Sequence, residues 1–246
     1  MDLWKMMETL KSDKYEWVDL SQPVSAKTRH YWLFGDMEAV DILSYDKEGV
    51  SAREYKMVSQ YGTHIDPPSH FVRGARALHE IRLRECALPL CVVDVSAKAA
   101  ANNDYVLTVD DLREWEGRHG KIPADSFVAM RTDWHKREGA AFFNKDANGG
   151  VHYPGWTIAA LEFLCKERNV CAIGHEPPDT DAPGAKLSDN PWASELFILQ
   201  QDRYQIEMLT NLDKLPATGA VIFVGFPSVV DAPGFTVRCY AVFEKQ

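Results

Sequence analysis

The densest group of chemistry-bearing side chains in this chain is His64-Ile65-Asp66-Pro67-Pro68-Ser69-His70. In an extended segment, residues two apart point to the same side, so His64 and Asp66 can address one cation with a ring nitrogen and a carboxylate oxygen. Gln60, four residues upstream, offers an amide oxygen. Gly62 lets the backbone approach closely, and Pro67-Pro68 ends regular structure just after the pair. His70 follows with an imidazole whose ordinary pKa lies near neutrality and suits proton transfer. The spacing is equally compatible with a loop whose two histidines are simply hydrogen-bonded, and on spacing alone both readings stay open.

Elements able to position such a segment are visible on either side of it. β-branched and apolar runs predict strands at residues 90–95, 126–131, 170–174, 220–225 and 237–243. Residues 2–11 read as an amphipathic helix with Leu3, Met6, Met7 and Leu10 on one stripe. A second helix follows Thr108, with Asp111 placed as in an N-terminal capping box. A third follows Thr157, carries Ile158, Leu161, Phe163, Leu164 and Cys165, and ends near Lys166 and Arg168. Strands and helices alternate only in the middle of the chain, while its outer parts are strand-rich. The expected class is α/β, a mixed β-sheet core with flanking helices. The loop signals at residues 146–150 and 177–184 are too short for domain linkers, so residues 1–246 are expected to form a single domain.

Bulk properties narrow the partners. The 246 residues carry a formal net charge of −9, which disfavours nucleic acid and anionic membrane and suits simple solubility. The five cysteines form no CxxC pair and are odd in number, against a disulfide framework or a cysteine zinc site. No run approaches membrane-spanning length, and Asp2, Lys5, Glu8 and Lys11 interrupt the first residues in a way no signal peptide tolerates. A reducing cytoplasm is the expected compartment. Without GxSxG, GxGxxG or a P-loop, serine-hydrolase and nucleotide chemistry are not indicated.

The stretch QYGTHIDPPSHF from Gln60 to Phe71 resembles the HxGTHxDxPxHF signature of the metal-dependent cyclase-type hydrolases, a family that includes bacterial kynurenine formamidases and isatin hydrolase. Other segments agree in order and spacing. RTDWHKR at 131–137 resembles an RTGW-type segment, and Tyr153-Pro154-Gly155 a YPG turn. Ile173-Gly174 with Thr180-Asp181 resembles a GxDxxSxD loop, and EMLTNL at 207–212 an ENLxNL element. The resemblance spans roughly residues 16–243.

It implies that His64, Asp66 and Glu207 ligate a metal and that His70 donates and accepts protons. Two positions depart from the pattern. Gln60 stands where the family has its first signature histidine, and Glu195 where a second histidine usually sits, twelve residues before the late glutamate. A single ion, or a pair of harder ions, fits better than two zincs. Gln60 is retained as a candidate ligand, and Glu195 as a ligand or a second acid–base group. An aromatic before a PGD-type turn in relatives suggests that Trp32 and Phe34 contact substrate, with core packing the alternative. His175 and Glu176 either support the site or are ordinary loop polarity.

The expected activity is therefore metal-assisted hydrolysis of an amide, lactam or ester of a small molecule, aromatic or not, with manganese or zinc as cofactor. The rivals are a dehydratase or cyclase-type lyase on the same scaffold, and a binding protein without turnover. By analogy with relatives, a homodimer or homotetramer is expected.

Overall fold

The computed structural model describes residues 2–245. Its strands are β1 (Tyr15–Asp19), β2 (Glu38–Leu43), β3 (Ala52–Lys56), β4 (His64–Asp66), β5 (Ala87–Asp94), β6 (Val106–Leu107), β7 (Phe127–Arg131), β8 (Gly155–Trp156), β9 (Ala172–His175), β10 (Tyr204–Glu207), β11 (Ala220–Gly225), β12 (Phe235–Thr236) and β13 (Arg238–Glu244). Nine of them form one sheet in the order β1-β13-β11-β5-β7-β9-β10-β4-β12. The four central strands β5, β7, β9 and β10 are parallel neighbours, and the strands outside them pair antiparallel. This is the mixed sheet that the middle-only alternation of strands and helices implied.

Strand alternation divides the core into two layers. Leu90, Val92, Phe127, Ala129, Tyr204 and Ile206 face one side, where Leu20, Leu78 and Leu212 cover them from loops and short turns. Cys91, Val93, Val128, Met130 and Ile173 face the other and meet Leu112 and Trp115, Ala160 and Leu161, and Ile198 and Leu199 from three helices. Burial on both faces explains why these strands read as continuous apolar runs.

The helix after Thr108 runs Val109–His119 behind the expected box: Thr108 N–H donates to Asp111 Oδ2 at 2.7 Å. The helix after Thr157 is α-helical only over Ile158–Glu162 and then widens into a π turn, Phe163–Glu167. A further helix, Ala193–Gln200, was not anticipated, because its apolar residues show no one-sided stripe. The amphipathic helix forms at Leu3–Leu10, but none of its residues is buried, and Leu3, Trp4, Met6 and Met7 lie exposed. The β2–β3 hairpin projects with Val40, Ile42 and Tyr55 exposed. No helix among the described residues is long and apolar enough to cross a membrane.

Candidate metal centre

The antiparallel pairing of β4 with β10 builds the site. Its register sets His64 opposite Glu207 and Asp66 opposite Gln205. Ile65 and Ile206 turn into the apolar layer, so the four polar side chains all emerge on the helix side of the sheet. His175, two residues after Ile173 on β9, emerges there too. The helix Ala193–Gln200 brings Glu195 over the same spot, and its first amides are held by a loop carboxylate: Ser194 N–H and Glu195 N–H donate to Asp181 at 2.8 and 3.1 Å. Gly62 adopts φ +66 just before β4, a left-handed conformation that a side chain would strain.

Two groups of three buried side chains share Glu207. His64, Asp66 and Glu207 bring potential ligand atoms within 4.8 Å of one another, and so do Asp179, Glu195 and Glu207. His64 Nε2 lies 3.4 Å from Asp66 Oδ2 and 3.4 Å from Glu207 Oε2. Its other nitrogen, Nδ1, is 2.8 Å from the Gly62 carbonyl oxygen, which can only accept. Nδ1 therefore carries the proton in the neutral ring, and the Nε2 lone pair faces the two carboxylates. Gln205 Nε2 lies 2.9 Å from Glu195 Oε1, 3.0 Å from Glu207 Oε1 and 3.4 Å from Asp66 Oδ2, while Thr180 donates to its carbonyl at 2.6 Å. Asp66 Oδ1 is buried without any hydrogen-bond partner.

The electrostatics carry the mark of crowded negative charge. Burial, then the carboxylates of Glu207 and Asp179, push the Glu195 carboxyl well above its usual range. Burial and Glu207 do the same to Asp179. Burial opposes charge on His64, but Asp66 and Glu207 outweigh it and hold the imidazole well above its ordinary value. A proton there compensates for the carboxylates in the way a cation would. The orphaned Asp66 oxygen, His64 Nε2 once its proton is displaced, and the converging carboxylates form a donor set that fits a divalent ion.

The expected residues fall into place unevenly. His64, Asp66 and Glu207 converge, and Glu195 and His70 stand beside them, with His70 Nε2 3.7 Å from Glu195 Oε1 and 4.0 Å from Asp66 Oδ1. Gln60 is at the site too, but its oxygen accepts from the Ser59 hydroxyl at 2.5 Å and its nitrogen faces His70. Phe34 lines the cavity above the centre. Trp32 is absent from that lining: a turn closed by Phe34 N–H donating to Tyr31 oxygen projects Tyr31 and Phe34 together and sends Trp32 into the cluster of Trp134, Phe142 and Tyr153. His175 supports the site, since the Trp156 indole N–H donates to Nδ1 and leaves Nε2 3.5 Å from Glu207 Oε1. Sequence reasoning missed Gln205 and Asp179. Gln205 was recoverable from its place two residues before Glu207 on one strand.

The centre forms the floor of a cavity of about 330 Å³, walled by Tyr31, Phe34, Phe71 and Trp192 and reached by His64, His70, Glu195 and Glu207. A larger groove of about 720 Å³ beside the β2–β3 hairpin, lined mainly by apolar residues, lies apart from it.

Known proteins resemble this chain in sequence and in fold. A family model described as putative cyclase matches residues 18–182. An isatin hydrolase of Roseibium aggregatum is 33% identical over 217 residues, 85% of this chain and 82% of that protein. The structure of isatin hydrolase A from Labrenzia aggregata bound to benzyl benzoate superimposes with a TM-score of 0.93 at 32% identity, covering 99% of both chains. An isatin hydrolase bound to the product analogue thioisatinate gives a TM-score of 0.91 at 30% identity, covering 99% and 98%.

Proposed function

We propose, from the premise that the chain belongs to the putative cyclase family and is a metal-dependent hydrolase, that it opens a cyclic amide in a small, planar aromatic molecule. The observation that carries this reading is the buried, unpartnered Asp66 oxygen beside His64 and Glu207 on the floor of an aromatic-walled cavity. The isatin hydrolases it resembles supply the substrate class, and the cavity suits a ligand of that size.

His64 Nε2, Asp66 and Glu207 would hold the ion. A bound divalent cation lowers the pKa of water and polarises a substrate carbonyl. The protein's own groups then manage the protons. Glu195, held above the usual carboxyl range by burial and its carboxylate neighbours, accepts a proton as water oxygen adds to the carbonyl carbon. His70, facing Glu195 through Nε2, gives its Nε2 proton to the amide nitrogen as the C–N bond breaks and takes back from Glu195 the proton that left the water, so both groups end as they began. Tyr31, Phe34, Phe71 and Trp192 bind the ring by stacking and burial.

An oxygen-rich shell favours harder ions, so manganese is expected to support activity at least as well as zinc. The test strips the protein with chelator, reloads each metal separately and assays isatin and related lactams in heavy-oxygen water. Solvent oxygen in a ring-opened product is the expected result. Absence of turnover with every metal and lactam would overturn the substrate reading, and full activity with zinc but none with manganese would overturn the metal preference.

Two further readings go with this one. The exposed Val40, Ile42 and Tyr55 of the hairpin suit a contact between copies of the chain, and sedimentation is expected to show a dimer or tetramer. All five cysteines are free, which suits a reducing cytoplasm.

A further inference from the structure

We propose that Gln60 is a positioning residue rather than a ligand: its amide nitrogen fixes the tautomer of His70, so that the imidazole presents its Nε2–H towards Glu195 and the reacting bond. The proposal rests on the reading of His70 as the proton-transfer group.

Gln60 is buried, and its amide has three neighbours. The Ser59 hydroxyl lies 2.5 Å from Oε1, the Pro233 carbonyl oxygen 3.2 Å from Nε2, and His70 Nδ1 3.4 Å from Nε2. These neighbours fix the direction of the amide. A carbonyl oxygen only accepts, so the nitrogen must face Pro233; the opposite orientation would set two lone-pair oxygens against each other. The Ser59 hydroxyl can donate or accept and opposes neither orientation. The backbone also crowds the group. A Cβ built on Gly234 would lie 2.5 Å from Gln60 Nε2 and 3.0 Å from Asp66 Oδ1, so the 233–234 turn packs directly on the amide.

An amide nitrogen has no lone pair to offer. A hydrogen bond to His70 therefore requires Nδ1 to accept, and the proton of the neutral ring sits on Nε2. The opposite side of the ring makes the same demand, because Nε2 faces Glu195 Oε1 at 3.7 Å and Asp66 Oδ1 at 4.0 Å, both acceptors when ionised. With Oε1 taken by Ser59 and Nε2 turned to the ring, Gln60 acts on the chemistry through His70.

The experiment uses uniformly ¹⁵N-histidine-labelled protein loaded with zinc, which is diamagnetic, and assigns the His70 signals with His70→Asn. The wild type is expected to show a pyridine-type Nδ1 and a pyrrole-type Nε2. Gln60→Leu is expected to give mixed tautomers and a kcat reduced tenfold or more with KM changed less, while zinc and manganese affinity, measured by chelator competition, stays within about threefold. Gln60→Glu keeps the size but offers an acceptor, and is expected to move the proton to Nδ1. A hundredfold loss of metal affinity in folded Gln60→Leu would make Gln60 a ligand and overturn the proposal. A wild-type ring protonated on Nδ1, or a tautomer unchanged in both variants, would overturn it equally. The tautomer and metal-affinity readings need no substrate, so an inactive wild type would fail the functional assignment while leaving the tautomer result to stand or fall alone.

Discussion

Strand β9 ends between two buried carboxylate regions built on opposite principles. Glu176, completely buried, has a donor for every direction its oxygens offer. Oε2 accepts from Thr132 N–H at 2.9 Å, the Thr132 hydroxyl at 3.0 Å and Trp134 N–H at 3.1 Å, and Oε1 lies 2.7 Å from His135 Nδ1. Asp66 is just as buried, yet its Oδ1 has no partner and its Oδ2 meets only Gln205 and the shared His64 ring. Burying a charge is costly unless hydrogen bonds or a counter-charge compensate it. Glu176 is compensated by the protein alone and ties the 132–135 loop to the end of β9. Asp66 is compensated in part, and the remainder is what a cation supplies. A count of donors, rather than burial, separates the structural carboxylate from the candidate ligand.

The largest effect that can break this contrast comes from the ligands. His64→Ala is expected to abolish metal binding and bring activity to background. Manganese at about 100 times its Kd should stabilise the wild type by about 2.7 kcal/mol against unfolding and leave the variant unmoved. A variant still stabilised by manganese in thermal melts would move the ion away from β4. His70→Asn should lower kcat by about 10²–10⁴-fold with metal content nearly intact. Equal loss of metal would make His70 a ligand and merge the two roles drawn here.

Glu176→Ala should behave the opposite way. Removing this buried carboxylate leaves Thr132 N–H, the Thr132 hydroxyl and His135 Nδ1 without their acceptor and is expected to lower the unfolding free energy by about 3 kcal/mol in urea titrations. Metal affinity of the folded fraction should change little in calorimetry. A stable Glu176→Ala protein that loses its metal would invert the comparison.

The smallest effect tests a compensated cluster at the surface. His152 lies 2.8 Å from Asp104 Oδ2 and 3.4 Å from Asp146 Oδ2, with nearly a third of its side chain exposed. The hydrogen bond to Asp104, then that to Asp146, raise its pKa above the ordinary value against a modest effect of burial. A raised histidine pKa contributes stability that is fully present below about pH 6.5 and is lost as pH rises through the folded value. Wild type should therefore lose a small Tm advantage over His152→Asn, at most about 3 °C, on going from pH 6 to alkaline pH. An advantage that grows with pH would contradict the pairing.

Much of the site was legible because its signals are local. His64-x-Asp66 alternates on one strand, and Thr108 with Asp111 forms a box through hydrogen bonds three residues apart. The strand at 220–225 was found at its observed bounds because Gly219 precedes its apolar run and Gly225 with Pro227 punctuates its end. Trp32 and Phe34 were indistinguishable in sequence, since only the Tyr31–Phe34 turn decides which ring enters the cavity. The helix Ala193–Gln200 stayed hidden because a segment without a polar face shows no helical period.

What the sequence determined by itself is the identity of the candidate ligand groups and their local spacing: a nitrogen and a carboxylate two residues apart on β4, and a carboxylate at the end of β10. Only the tertiary structure decided which atoms act. The β4–β10 register faces His64 with Glu207 and Asp66 with Gln205, a pairing between residues about 140 positions apart that no local period encodes. The packing of residues 233–234 turns the Gln60 nitrogen to His70, and the helix start held by Asp181 sets Glu195 beside it. Hydrogen-bond direction depends on every neighbour of a group, and those neighbours exist only once the chain has folded.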